Sequence, residues 1–199
     1  HGDHTVLDRV DCLLEAADRV CLIGPNGSGK STLIRILVGE AEPQEGDVRW
    51  APGVRIGYLP QEPRLPEPAQ TVAANITLGL RRAGLPSVTD EARGWLVRWG
   101  LLTRDDLTKR ISDLSLGQQR KVELGILVGS NPDVLLLDEP TNHLTFDVIE
   151  SLQAALVDFE GPVLIATHDR RLIREFPRCL WRLRQGHLAE TDRNGGTAA

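Results

Sequence analysis

Gly24-Pro25-Asn26-Gly27-Ser28-Gly29-Lys30-Ser31-Thr32 is the stretch on which the reading of this chain turns. The apolar run at residues 20–23 leads into it, and residues 31–38 continue with helical spacing. Glycines at these positions let successive amide N–H groups turn inward, and the helix that follows adds its own unpaired N–H groups. The result is a nest for an anion at the positive end of a helix dipole. The expected occupant is a nucleoside triphosphate: Lys30 reaches its β and γ phosphates as a point charge, Ser31 gives a hydroxyl to Mg²⁺, and Thr32 meets the α phosphate. A glycine-rich turn of purely structural use would not need all nine residue types in a strand-to-helix context. Gly24, Asn26, Gly27, Ser28, Gly29, Lys30, Ser31 and Thr32 are therefore the candidate binding residues.

A second segment, Asp133-Val134-Leu135-Leu136-Leu137-Asp138-Glu139, reads as a buried strand that ends in two carboxylates. Ligands of parallel sheets sit at the C-terminal ends of strands, which sets this pair beside the phosphate loop. Asp138 is expected to hold the Mg²⁺ shell through water, and Glu139 to orient or deprotonate the attacking water.

Uninterrupted apolar runs at 20–23, 134–137 and 163–166 suit strands covered on both faces of a largely parallel sheet. Weaker alternation at 6–14, 48–50 and 54–59 suggests a more exposed antiparallel portion, and helices are expected at 31–38, 115–128 and 147–159. The fold class is α/β. Between Gln61 and Asp113 the character changes: Pro60, Pro63, Pro66 and Pro68 punctuate the chain, and Trp95 and Trp99 then lie one helical turn apart, a spacing that favours core packing over a docking face. The expected division is a core of residues 1–61 and 129–190, an inserted helical subdomain over about 62–128, and a flexible tail at 191–199 with little to bury.

Composition narrows the class. With 199 residues the chain can bury a core without staples, and charges break every apolar run short of the roughly 18 residues a membrane-spanning helix needs. The start, His1-Gly2-Asp3-His4, lacks the basic and apolar regions of a secretory signal, so a cytoplasmic protein is expected, with no direct membrane insertion. Methionine is absent even at position 1, which suggests a segment of a longer protein. Cys12, Cys21 and Cys179 match neither a disulfide framework nor a zinc site and read as reduced, mostly structural thiols. A net charge of −5 argues against the domain itself gripping nucleic acid; Arg170, Arg171, Arg174, Arg178, Arg182 and Arg184 read as a solvated helix face and strand edge.

With these motifs in order, the chain from His1 to about Glu190 resembles the nucleotide-binding domain of an ATP-binding cassette (ABC) protein. Leu114-Ser115-Leu116-Gly117-Gln118 is similar to the signature motif of that superfamily. The resemblance implies that Ser115, Gly117 and Gln118 at a helix N-terminus face the γ phosphate held by a second cassette in a head-to-tail pair. Leu116 replaces the usual first glycine. Gln61, in Tyr58-Leu59-Pro60-Gln61-Glu62, matches the Q-loop, whose amide touches Mg²⁺ or the attacking water and hinges the helical subdomain. His168, in Ala166-Thr167-His168-Asp169, matches the switch histidine, a γ-phosphate donor. His1 falls where the family carries an aromatic residue stacking on adenine.

Glu139-Pro140-Thr141-Asn142-His143-Leu144 departs from the D-loop of most transport cassettes and resembles that of the ABC-F family, although Thr145 stands where Asp is usual. That resemblance implies two cassettes on one chain, no membrane domain, and a ribosome as partner of the full-length protein, as a translation factor or in protection against ribosome-targeting antibiotics. Leu116, Thr145 and the arginine-rich composition resemble divergent resistance members from actinobacteria. The short stretch between Gln61 and Ser115 favours the second cassette. The alternatives are the energy-coupling ATPase of an ABC membrane transporter, and a chromosome or repair ATPase, which would carry a long insertion here.

Overall fold

The computed structural model describes residues 5–85 and 102–192. One sheet holds β1 (Arg19–Ile23), β2 (Ile56–Leu59), β3 (Val134–Asp138), β4 (Val163–Ala166), β5 (Cys179–Arg184) and β6 (His187–Asp192), in the order β2-β3-β4-β1-β5-β6. Every neighbouring pair is parallel except β5 with β6. All residues of β3 and β4 are buried, which is why these strands are apolar without alternation. β5 alternates instead, with Trp181 and Leu183 buried and Arg182 and Arg184 exposed. The hairpin to β6 turns on Gln185 and Gly186 at φ of 50° and 82°, left-handed values that match the twist of the two strands.

The weakly alternating segments behave differently from expectation. Residues 6–14 and 48–50 form no strand, and 56–59 becomes β2, which is parallel to β3. Arg55 sets that register: its backbone N–H and its guanidinium both donate to Asp133, the latter at 2.9 and 3.1 Å. β2 alternates because it is a half-covered edge strand, a pattern that parallel and antiparallel edges share. The antiparallel portion of the fold is the β5–β6 hairpin. Thr191 and Asp192, expected in the tail, complete β6.

Helix α1 (Lys30–Leu37) starts directly after Gly29 and sends Leu33 and Ile34 into a core with Val20, Leu22, Leu136, Leu164 and Trp181. Two compact units divide the chain. One runs to Gln61 and takes in Asp133–Pro140 and the chain from Leu156 onward; the other is Glu62–Pro132 with Thr141–Ala155. The boundary thus lies past the expected 128, and residues 141–155 join the helical unit.

In that second unit, α2 (Val72–Arg82) begins at Thr71, whose hydroxyl accepts from the Ala74 N–H, and it ends on Arg81 and Arg82, cations suited to a helix C-terminus. α3 (Leu116–Gly129) packs close to α2: a Cβ on Gly79 would lie 2.6 Å from Ile126. Val72, Ile76, Leu80, Ile111, Leu114, Val122 and Val148 form a separate core here. α4 (Phe146–Asp158) and the short α5 (Arg170–Glu175) complete the α-helices described, and short 3-10 turns lie at Asp105–Thr108 and Ile111–Asp113.

Cys21 is buried and Cys179 half-buried, but Cys12 is exposed, so burial explains only two of the three cysteines. Five of the six clustered arginines are exposed and Arg171 is half-buried, with Arg171 and Arg174 paired to Glu175. Among the described residues no helix is long and apolar enough to cross a membrane. His1, Trp95, Trp99 and the tail beyond 192 lie outside the described residues.

Candidate functional site

The phosphate loop joins the end of β1 to α1, and its glycines answer to separate demands. A Cβ on Gly24 would lie 2.2 Å from the carbonyl oxygen of Leu183 on β5, so no larger residue fits there. Gly27 and Gly29 hold φ of 76° and 100°, the left-handed region that side chains avoid. Ser28 N–H donates to the Pro25 carbonyl at 3.2 Å and closes the turn. Asn26 and Gly27 are exposed, and Ser31 and Thr32 are half-buried at the helix start.

Lys30 is only 7% exposed, and its Nζ donates to the carbonyls of Gly24 (2.8 Å) and Pro25 (3.1 Å). Burial pulls its pKa down, while Glu139 and Asp138 hold it up. The hydroxyl of Ser28 is buried and has no hydrogen-bond partner. An unsatisfied buried hydroxyl costs about 1–3 kcal/mol. That orphan oxygen, in the same loop as a buried ammonium whose hydrogen bonds go to backbone carbonyls, fits a loop shaped for phosphate oxygens.

The parallel pairing of β3 with β4 sets two further candidates together. Asp138 lies opposite Ala166, and Glu139 N–H donates to the Ala166 carbonyl at 2.8 Å. Glu139 has φ 47°, unusual for a residue with a side chain. Asp138 and Glu139 are 2% and 7% exposed. Two residues beyond β4, the backbone N–H of His168 donates to Glu139 Oε2 at 3.3 Å, and His168 Nε2 lies 3.3 Å from Oε1. Burial pushes the Glu139 carboxyl up from its ordinary pKa, with His168 opposing. Asp169 then caps α5 by accepting from the N–H groups of Arg171 and Leu172.

Lys30, Asp138, Glu139 and His168 thus meet within one unit. Gln61 is exposed two residues past β2, the strand beside β3. For a divalent cation, Asp138, Ser31 and Gln61 present only oxygen ligands, the set that suits Mg²⁺. Among the described residues no group of three or more His, Cys, Asp or Glu could hold a metal by itself.

The signature-like motif belongs to the second unit. Ser115 caps α3 reciprocally with Gln118: the hydroxyl accepts from Gln118 N–H (3.3 Å), and the Gln118 side-chain oxygen accepts from Ser115 N–H (3.0 Å). Leu116 is 53% exposed, so its side chain has room where glycine is usual. Gly117 has none: a Cβ there would lie 2.4 Å from the carbonyl oxygen of His143, itself at φ 63°. Sequence reading missed this contact, because residues 26 positions apart carry no local signal of it. It also passed over Arg120 and Glu123, buried on α3, because they lie in a polar run with Gln118, Gln119 and Lys121 that reads as an exposed face.

A family model described as "ABC transporter" matches residues 7–142. The tylosin resistance ATP-binding protein TlrC of Streptomyces fradiae is 40% identical over 87% of this chain and 30% of that protein. ATP-binding cassette sub-family F member 3 of Mus musculus is 33% identical over 95% of this chain and 26% of its own length. The chain therefore spans about three tenths of the length of these relatives. In fold it is similar to a solved cassette dimer in a post-hydrolysis state bound to ADP and Pi, with a TM-score of 0.82, 24% identity, and coverage of 96% of this chain and 92% of that one. A phosphate loop at the end of the first central strand, paired carboxylates at the end of the next but one and a capped Ser-Leu-Gly-Gln helix agree with those matches: the chain is an ATP-binding cassette of the ABC transporter family, with sub-family F proteins among its relatives.

Proposed function

We propose that the chain is one of two cassettes of a sub-family F protein that binds and hydrolyses ATP, and that the whole protein acts on the ribosome, as a translation factor or in protection against an antibiotic. The convergence of Lys30, Asp138, Glu139 and His168 around one loop carries the ATPase reading. The Thr-Asn-His-Leu segment and the resistance named in one relative support the finer one.

Each residue has a defined task in that reaction. The N–H groups of the loop and of α1 bind phosphate oxygens, and Lys30 exchanges its carbonyl acceptors at Gly24 and Pro25 for them. Ser31, Asp138 and Gln61 would hold Mg²⁺, which would supply positive charge to offset that of the phosphate oxygens. Glu139 accepts a proton from the attacking water; its raised pKa makes it a stronger base than an ordinary carboxylate. His168, within reach of Glu139, orients it and donates towards the γ phosphate. Ser115 and the N-terminus of α3 serve the nucleotide of a second cassette, because phosphoryl transfer depends mainly on positioned charge donors.

Lys30→Ala tests the reading at its base. Mg-ATP affinity measured by calorimetry is expected to fall at least tenfold, about 1.4 kcal/mol. Unchanged affinity would remove the phosphate loop from the site.

A further inference from the structure

Beyond Gln61 the chain enters the helical unit through Glu62-Pro63-Arg64-Leu65-Pro66-Glu67-Pro68. Two buried polar side chains hold this segment. Glu123, on α3 and 8% exposed, accepts the backbone N–H of Arg64 on Oε1 at 2.5 Å. Asn75, on α2 and fully buried, accepts the Glu67 N–H at 3.0 Å and donates to the Glu67 carbonyl at 2.8 Å. Arg120, fully buried one turn before Glu123, donates to Oε2 of the same carboxylate at 3.2 Å.

Such a pair is a poor way to gain stability, because desolvating two charges offsets most of their attraction and apolar residues of similar volume often do as well. What the carboxylate adds is direction. It fixes the N–H of Arg64 at one point on α3. Pro63 has its own φ locked, and Glu62, preceding a proline, is confined to extended backbone. The freedom left between the clamp and Gln61 is therefore small. Three residues of chain span at most about 11 Å, so Gln61 is on a short leash.

We propose that Glu123 is a positioning residue for Gln61: by holding Arg64 N–H it restricts the chain that follows Gln61 and so limits where the Gln61 amide can lie. This rests on the reading of Gln61 given above. The clamp itself rests on contacts inside the helical unit.

The test uses the full-length protein that carries this chain, with Glu123→Ala, Glu123→Gln and Glu123→Asp. Glutamine keeps an acceptor at the same reach. Aspartate keeps the charge beside Arg120 and withdraws the oxygen from Arg64 by about one carbon–carbon bond, which preserves the fold if alanine does not. Steady-state ATPase kinetics are expected to show kcat at least tenfold lower in the Ala and Asp variants, KM within about twofold of wild type, and near-complete recovery in Gln. Hydrogen exchange of the Arg64 amide, followed by mass spectrometry, should quicken in Ala and Asp and not in Gln. A purely structural role would move thermal stability without this split of kcat from KM. Wild-type kcat in Glu123→Asp, or an equal loss of kcat in Gln and Asp, would overturn the positioning role. Absence of ATP turnover in the wild-type protein would instead overturn the reading of the site.

Discussion

At the scale of single residues, the site concentrates groups in unfavourable states. Lys30 and Glu139 are both buried, with pKa values pushed towards their neutral forms, and Glu139 adopts a left-handed backbone conformation as well. Such strain costs on the order of 1–3 kcal/mol per residue and persists where surrounding structure imposes it. Here the Glu139 N–H is held by the Ala166 carbonyl and its carboxylate by the His168 N–H. Glu139→Gln follows as a prediction. The amide keeps the shape but accepts no proton, so ATP binding is retained while turnover nearly stops, as read by calorimetry and phosphate release. The sign of the stability change also follows. A carboxyl whose folded pKa lies above its unfolded value loses stability as pH rises through the interval between them. Removing the charge should therefore leave the melting temperature at pH 7 equal to wild type or higher, and a clear drop would mean the His168 contact outweighs burial.

At the scale of elements, the start of α3 shows why one departure from the family pattern is tolerated. Leu116 points a half-exposed side chain outward, whereas Gly117 lies against the backbone of His143. The capping box of Ser115 and Gln118 is local and survives either change. Gly117→Ala raises intrinsic helix propensity, worth about 1 kcal/mol in an open helix. It is nonetheless expected to destabilise the helical unit by about 1–3 kcal/mol, because the new methyl meets a backbone oxygen rather than a flexible side chain. Leu116→Gly should cost only about 0.8 kcal/mol, the propensity difference. Urea unfolding of the two variants side by side measures the contrast. The unusual Thr145 does not prevent α4 from starting, since its carbonyl accepts from the N–H groups of Val148 and Ile149.

At the scale of the whole molecule, the phosphate loop and the Ser115 motif sit in different compact units, and the solved dimer that the chain matches in fold joins two cassettes. The composite-site reading predicts that this chain alone turns over ATP slowly, with a rate per molecule that rises with concentration or on addition of the partner cassette. Ser115→Arg, which sets a bulky cation at the start of α3, should abolish the stimulated rate and spare Mg-ATP binding by the same chain. Fast turnover, linear in protein and indifferent to Ser115→Arg, would show a self-contained site.

The sequence by itself determined the parts of this protein that are local. Phosphate loop, buried strand with its terminal carboxylates and α/β class all follow from short-range patterns, because amide nests and burial on both strand faces each leave a signature within about ten residues. Edge segments were less legible. Residues 6–14 and 48–50 alternate without forming strands, and 56–59 pairs in parallel, because alternation records half-burial and not the direction of the neighbour. Only tertiary structure decided that Arg55 sets the β2 register through Asp133, that Leu183 forbids a side chain at position 24, and that His143 forbids one at 117. It likewise decided that Glu123 and Asn75 hold the segment after Gln61. These are contacts of a backbone atom with a residue distant in sequence, and a backbone atom is the same in every residue, so no composition or spacing announces them.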